Sequence, residues 1–307
     1  MKHKDFSRYV DMAMAGRGLD AMRPVVEKEL LHYEIFNALD SEGLLKNLVF
    51  QGGTSLRLCR GSDRFSEDLD FAGGKAFTSD SVSKIKACVT QRVGDRFGLD
   101  VTVREPRTAK QGQNVQVDKW TVSVETHPGR PDLPRQKIKL EIANIPAYTR
   151  EVVPLRMNYS VLDGVSPTLV VAESIHEILA DKLVALPTSI AKIDEYGIAD
   201  TAARIRYRDI WDIAWLTGQG AEVDMEMVWK KVADYGIQEF PRLLDHAISQ
   251  IPEIAASHAF RQQMSRFVER SKHEKIFGMP GYEGYFTQSV NTLLERVLRE
   301  QKMPTQL

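Results

Sequence analysis

The sequence predicts an α+β protein: a mixed-sheet domain followed by a helical domain, with the change near residue 165. Three observations predict it. Short β-type stretches separated by turn residues recur through the first half. Apolar residues at helical spacing dominate the second half, from about residue 171 onward. A Pro-rich link at 127–134 suits a connection at a sheet edge. The expected division is a sheet domain over 1–165 and a helical domain over 166–307.

The elements follow in order. Residues 20–40 carry apolar side chains at helical spacing and stop near Ser41 and Gly43. Residues 48–51 form a short buried strand that runs into the Gly52-Gly53 turn. A short helix is expected over 54–60, a second strand over 65–71 and a helix over 79–97. Three β-type stretches come next, at 99–104, 115–125 and 138–142. In the middle one Trp120, Val122 and Val124 alternate with Thr121 and Ser123, the pattern of a half-buried antiparallel strand. A strong helical period over 171–186 ends at Pro187, and residues 205–217, 223–234, 241–271 and 284–301 also have helical character. There is no internal repeat and no low-complexity tract.

Composition removes several function classes. A chain of 307 residues with 43% hydrophobic and 27% charged residues is long enough for a sizeable core and has the balance of a soluble globular protein. The formal net charge of −1 gives no bulk attraction for nucleic acid, so a polyanion needs a local basic patch. Cys59 and Cys88 have no metal-ligand spacing, which fits a reducing compartment and not a disulfide framework. No apolar run reaches the roughly 18 residues of a membrane span, and the first residues lack the apolar core of a signal peptide. A cytoplasmic location and no membrane partner are therefore expected.

The chemistry concentrates between Gln51 and Phe71. A strand enters a Gly-Gly turn, and Thr54 and Ser55 open the following helix. Glycine lets backbone approach a ligand closely, and a helix start offers N–H groups to an anion such as a triphosphate. Alone, that is also an ordinary turn with a capping hydroxyl. Asp68 and Asp70 flank Leu69, and in a strand residues i and i+2 share a face. Two adjacent carboxylates repel unless a cation lies between them. Phosphate-transfer chemistry wants that arrangement, because oxygen-seeking metal ions clamp the attacking and leaving oxygens. The apolar frame of Phe65, Leu69 and Phe71 favours a strand over a solvated acidic turn. Glu141 offers a third acid on a later strand, sharing a face with Lys139 while Ile138, Leu140 and Ile142 face the core. Lys182 lies at the edge of an apolar helical stripe with Ile175, Ile178, Leu179 and Leu186, either snorkelling or aimed at an anion. Asp209 and Asp212 are one turn apart, which by itself suggests a helix start with surface ion pairs. His176, Trp211 and Trp215 are expected in structural roles. The basic stretch of Arg261, Arg266, Arg270, Lys272 and Lys275 suits an RNA backbone and a solvated helix face equally.

Taken together and in this order, these segments resemble the AbiEii/AbiGii toxin family of nucleotidyltransferases, which includes the mycobacterial MenT toxins. The family signature is Gly-Gly-Thr-x-Leu-Arg, then Arg-Phe-Ser-Glu-Asp-Leu-Asp-Phe, then a strand acid, a helix lysine and Arg-x-Lys-Asp. The matching positions are 52–54, Leu56, Arg57, 64–71, Glu141, Lys182 and 206–209, so the resemblance spans roughly residues 30–215. Arg208 stands where the family commonly has lysine, Glu141 where aspartate is common, and 188–204 is an insert-like stretch. The last 90 or so residues carry no motif.

The resemblance implies a polymerase-β-like fold and a toxin of a toxin–antitoxin or phage-defence system. Some members add nucleotides to the acceptor end of tRNA and block translation. On this pattern Asp68, Asp70 and Glu141 hold Mg²⁺ (or Mn²⁺), and Gly53, Thr54, Ser55 and Arg57 contact the phosphates of an NTP. Lys182 steadies the triphosphate or pyrophosphate, and Asp209 orients a substrate group or Lys182 itself. The expected partners are NTP, RNA and an antitoxin encoded nearby, with Arg57, Arg60, Arg64, Arg204, Arg206 and Arg208 as candidate RNA contacts. Two other readings remain open: nucleotide or phosphate transfer to a protein or small molecule, and a non-catalytic domain that binds nucleotide or a partner.

Overall fold

The computed structural model describes residues 5–16, 18–106, 115–130, 132–190 and 205–301. They divide into two units: one of residues up to Glu173 together with Phe267–Arg270, and one of Ser174–Arg266 with the residues from Ser271 onward.

The first unit is built on a mixed sheet with a helical layer. Helix α1 (Phe6–Met14) is capped by Asp5, whose carboxylate accepts the Arg8 N–H at 3.1 Å. Its buried stripe of Phe6, Tyr9, Val10 and Ala13 escaped sequence analysis. Helix α2 (Arg23–Ser41) starts with a proline in its first turn and ends before Gly43, whose φ of 67° only glycine adopts readily. Strand β1 (Val49–Gln51) passes directly into the short helix α3 (Gly52–Ser55), which continues as a π-helical turn over Leu56–Arg60. Strand β2 (Leu69–Ala72), helix α4 (Ile85–Phe97) and strands β3 (Val101–Arg104), β4 (Val117–Val124), β5 (Gln136–Ala143), β6 (Glu151–Pro154) and β7 (Leu169–Ala172) complete the unit.

The strand order is β3-β4-β5-β2-β1-β7-β6. β2 lies antiparallel to β1 and parallel to β5, while β7 lies parallel to β1. Pairing of β7 with β1 is the reason the first unit reaches Glu173, further than the expected boundary near 165. Phe36 of α2 meets Phe50 of β1 edge-on at 4.9 Å, and Phe50 lies 5.2 Å from Phe71 of β2. All three rings are fully buried, each worth about 2–3 kcal/mol by area removed from water. They fix one face of the two central strands against α2, and the polar residues between them face the other way.

Helix α2 also buries three glutamates, each with a cationic partner. Glu27 pairs with Arg23 at 3.1 Å, Glu29 with Arg57 at 2.9 Å, and Glu34 with Arg92 at 2.9 Å. A buried carboxylate without such a partner would be strongly destabilising.

The second unit is helical: α5 (Ile175–Ile190), α6 (Tyr207–Gly218), α7 (Met225–Asp234), α8 (Phe240–Ala256), α9 (His258–Ser265), α10 (Arg270–Phe277, its first residue counted with the first unit) and α11 (Tyr282–Gln301). Two expectations change here. Helix α5 runs through Pro187 instead of stopping before it. Next to the N–H that proline lacks, the Thr188 hydroxyl donates to the Val184 carbonyl at 2.8 Å. The single helix expected over 241–271 is broken at Ser257, whose hydroxyl caps α9 by accepting the Phe260 N–H at 3.1 Å. Most of the insert-like stretch 188–204 lies outside the described residues.

Candidate active site

The two glycines after β1 have different jobs. Gly52 has φ 76°, and a β-carbon there would lie 2.9 Å from Oδ2 of Asp70. Gly53 has ordinary backbone, but a β-carbon would fall 2.2 Å from Nη2 of Arg64 and 3.1 Å from Oγ of Ser66. One glycine makes the turn beside the acid; the other makes room for a buried guanidinium. Thr54 is buried, and its hydroxyl donates to the carbonyl oxygen of Asp68, tying α3 to the chain entering β2.

Each residue of the run from Arg64 to Phe71 has a place in this frame. Arg64 is 2% exposed, and its Nη1 donates to the Phe65 carbonyl at 2.8 Å. The Phe65 ring carries the Arg57 guanidinium 4.3 Å above its centroid. Glu67 pairs with Lys28, and its carbonyl lies 3.0 Å from Nε2 of His32. Leu69 and Phe71 enter the core, which leaves Asp68 and Asp70 outside it.

The expected strand over 65–71 is shorter than the pattern suggested. Regular pairing starts at Leu69, so Asp68 precedes the strand. Its carbonyl is taken by Thr54, and its carboxylate accepts the Lys139 N–H at 3.2 Å. Asp70 lies in register with Glu141 across the parallel β2–β5 pair, and Glu141 lies in register with Lys119 across β4–β5. Asp70, Glu141 and Lys119 therefore form one row on the open face of the sheet. Nζ of Lys119 is 2.7 Å from Glu141 Oε1, and Nζ of Lys139 is 3.3 Å from Asp68 Oδ2. The Asp68 and Glu141 side chains are each 25% exposed, open to water and to ligand. Among the described residues no three acid, histidine or cysteine side chains converge as a ready-made metal cluster. Asp70 and Glu141 are neighbours by register and Asp68 stands just before the strand; ammonium groups meet Asp68 and Glu141.

Arg57 is engaged by protein groups. Nε and Nη2 grip the Glu29 carboxylate at 2.9 and 3.3 Å, and Nη1 donates to the Ser62 carbonyl at 3.1 Å. All three nitrogens are engaged in protein contacts, and these tie Arg57 to α2 and to the turn. Thr54 and Ser55 are buried as well. Arg60 is held by Glu151 and by the Glu173 carbonyl, and Arg204 lies outside the described residues.

In the helical unit, Lys182 of α5 is buried, with Nζ 2.7 Å from Asp209 Oδ1 and 2.7 Å from Asp212 Oδ2 of α6. Arg206 Nε reaches the other oxygen of Asp209 at 2.5 Å. Burial alone would raise the Asp209 carboxyl; Lys182 and Arg206 override it and hold the group well below the usual carboxylate range. Asp212, expected on the surface, is fully buried and is the second carboxylate of the pair. A similar cluster joins α5 to α7, where Lys231 pairs with Glu177 at 2.7 Å and with Asp181 at 3.0 Å. The other structural expectations agree with the geometry: Trp211 packs 5.6 Å from Phe286, and His176 Nδ1 accepts the Glu222 N–H at 2.9 Å.

A mixed sheet with strand carboxylates beside a Gly-Gly turn, followed by a helical unit, defines the nucleotidyltransferase class. The family model described as "Nucleotidyl transferase AbiEii toxin, Type IV TA system" matches residues 35–287, and the chain belongs to that family. Among solved structures it is similar to MenT4, a nucleotidyltransferase toxin of Mycobacterium tuberculosis H37Rv, at 16% identity and TM-score 0.51, covering 96% of this chain and 99% of that one. A protein from H. pylori provisionally named a nucleotidyltransferase matches at 18% identity and TM-score 0.47, covering 91% and 98%. JHP933 from Helicobacter pylori matches at 16% identity and TM-score 0.46, covering 90% and 92%. At these identities the MenT4 likeness speaks to the fold. No curated protein matches the chain. No described helix is long and apolar enough to cross a membrane.

Proposed function

We propose that this protein is a toxin that transfers a nucleoside monophosphate from an NTP to RNA, with the tRNA acceptor end as the acceptor and a block of translation as the result. The observation that carries the reading is the row formed by Asp70 and Glu141, with Gly52 pressed against Asp70. It presents carboxylates on a rigid strand pair beside a turn where backbone can meet phosphate.

The donor set fits a divalent cation. Carboxylate oxygens are hard ligands; Asp70 and Glu141 lie side by side on the open face, and Asp68 stands just before β2. Asp70, with Asp68 and Glu141, would hold Mg²⁺, which when bound neutralises phosphate charge and lowers the pKa of an attacking hydroxyl. Lys182, whose ammonium Asp209 and Asp212 hold in place, is the catalytic lysine of this reading, with Asp209 as its orienting partner. Phosphoryl-type transfer asks little covalent chemistry of the protein, so positioning and charge neutralisation carry most of the rate. An antitoxin encoded nearby is the expected partner.

The test is incubation with total RNA, Mg²⁺ and each α-³²P-labelled NTP in turn, with Asp70→Asn as control. Label on tRNA supports the reading. Label on protein or on a small molecule moves the acceptor, and no label with any NTP overturns it.

A further inference from the structure

The open face of β4 and β5 carries two lysines beside the acids, and neither belongs to the family pattern found in the sequence. Along β5 the residues facing away from the core are Lys137, Lys139 and Glu141; along β4 they include Lys119, Thr121 and Ser123. Lys119 is opposite Glu141, and Lys139 is opposite Thr121, one step along the same face. The Lys119 ammonium meets Glu141 of β5, and the Lys139 ammonium meets Asp68 just before β2. Their side chains are 49% and 47% exposed, so each stem is free to swing through water.

Building on the nucleotidyltransferase reading, we propose that Lys119 and Lys139 are exchangeable counter-ions: they neutralise Glu141 and Asp68 before a divalent cation arrives, then turn to the phosphates of the nucleoside triphosphate. Four facts support the exchange. Adjacent carboxylates need positive charge nearby, and here two ammonium groups supply it. A lysine is a compact charge on a flexible four-carbon stem, suited to changing partners as an arginine fork is not. The ion pairs are half-exposed, and pairs of that kind contribute little, so a cation displaces them at small cost. Finally, Asp68 stays anchored without its lysine side chain, because the Lys139 backbone N–H also donates to it. The two lysines then stand on the face where the acids gather the nucleotide. The device couples the ligands: the cation frees the lysines, and the lysines hold the triphosphate that accompanies the cation.

The coupling gives substitution effects of opposite sign, which a purely structural role would not produce. The experiment measures Mn²⁺ binding by electron paramagnetic resonance without nucleotide, and binding of an α,β-methylene NTP analogue by calorimetry with Mn²⁺ present. It uses wild type, Asp70→Asn, Lys119→Gln, Lys139→Gln and the double lysine variant, with circular dichroism to confirm folding. Removing the lysines should tighten Mn²⁺ alone, roughly two- to fivefold for each, the range set by half-exposed ion pairs. It should weaken the analogue about tenfold or more in the double variant, through lost charge-assisted hydrogen bonds. If wild type binds Mn²⁺ and Asp70→Asn does not, the metal site stands. Unchanged or weaker Mn²⁺ binding in the lysine variants then overturns the exchange alone. Unchanged analogue binding overturns the phosphate role. Absence of Mn²⁺ binding by wild type overturns both the exchange and the metal reading beneath it.

Discussion

Gly53 and Arg64 occupy one small space: a β-carbon on Gly53 would sit 2.2 Å from Nη2 of a guanidinium that is itself buried. Gly53→Ala therefore forces Arg64 out of its place beneath the acid loop. Overpacking of this kind costs about 1–3 kcal/mol. We expect a lowered urea midpoint together with loss of nucleotide transfer, because the displaced loop carries Asp68 and leads into the strand that carries Asp70. A wild-type midpoint for Gly53→Ala would show that Arg64 yields freely and that the glycine is incidental.

Asp70→Asn should behave in the opposite way. Asp70 is partly exposed and is the middle member of the acid set, opposite Gln51 on one side and Glu141 on the other. Removing its charge relieves repulsion within that set, so stability should hold or rise slightly while transfer of label is lost. Turnover within about tenfold of wild type, in protein that unfolds normally, would remove metal-assisted transfer as the mechanism.

Arg57 separates support from ligand contact. If it serves Glu29, Arg57→Ala leaves a buried carboxylate without its cationic partner and with the Asn158 amide still donating to it, at a cost of about 3–5 kcal/mol. Arg57→Lys should recover only part of that, since a point charge does not replace three engaged nitrogens. Chemical denaturation distinguishes the roles: a stable Arg57→Ala protein with only a raised KM for NTP would return Arg57 to the phosphates.

These variants also show which parts of the molecule could be read from sequence. The Asp68-Leu69-Asp70 alternation was legible because one face of β2 is fully apolar, and Glu141 was legible from the same period on β5. Strand β6 was not legible: Glu151, Val152 and Pro154 are exposed on this edge strand, and Val153 alone, half-buried against the core, is too little to impose a pattern. The role of Arg57 was hidden for another reason. Glu29 is 28 positions away on α2, and only the fold brings them together. The same holds for Asp212, whose spacing from Asp209 suggested a surface pair until α5 supplied Lys182 between them.

That cluster yields its own prediction. Lys182→Met removes the ammonium that joins the buried Asp209 and Asp212 carboxylates. We expect a loss of about 3 kcal/mol or more, partly restored by adding Asp212→Asn, because the double change leaves one buried carboxylate charge in place of two. Transfer activity should stay low in the restored protein if Lys182 also serves the triphosphate. Recovery of full activity together with stability would confine Lys182 to holding α5 against α6.

His32 gives stability a pH dependence that can be assigned to one side chain. It is fully buried on α2, with Nε2 3.0 Å from the Glu67 carbonyl and Nδ1 without a hydrogen-bond partner. The neutral ring therefore carries its proton on Nε2, and a second proton would have to sit on the buried, unpartnered Nδ1. Burial accordingly pushes the pKa down to about 4. An unfolded histidine titrates near 6.5, so between pH 6.5 and 4 the unfolded chain binds a proton that the folded chain refuses. Stability from this source is complete above pH 6.5 and falls as pH drops towards 4, by about 3 kcal/mol over the window. Carboxylates titrate in the lower part of the same range, so the measurement is a comparison. Urea midpoints of wild type and His32→Gln, taken from pH 7.5 to 4.5, should converge as pH falls, with the variant showing the shallower slope. Parallel curves would mean that His32 is protonated without penalty, and the buried, unpartnered Nδ1 could not then govern the acid limb of stability.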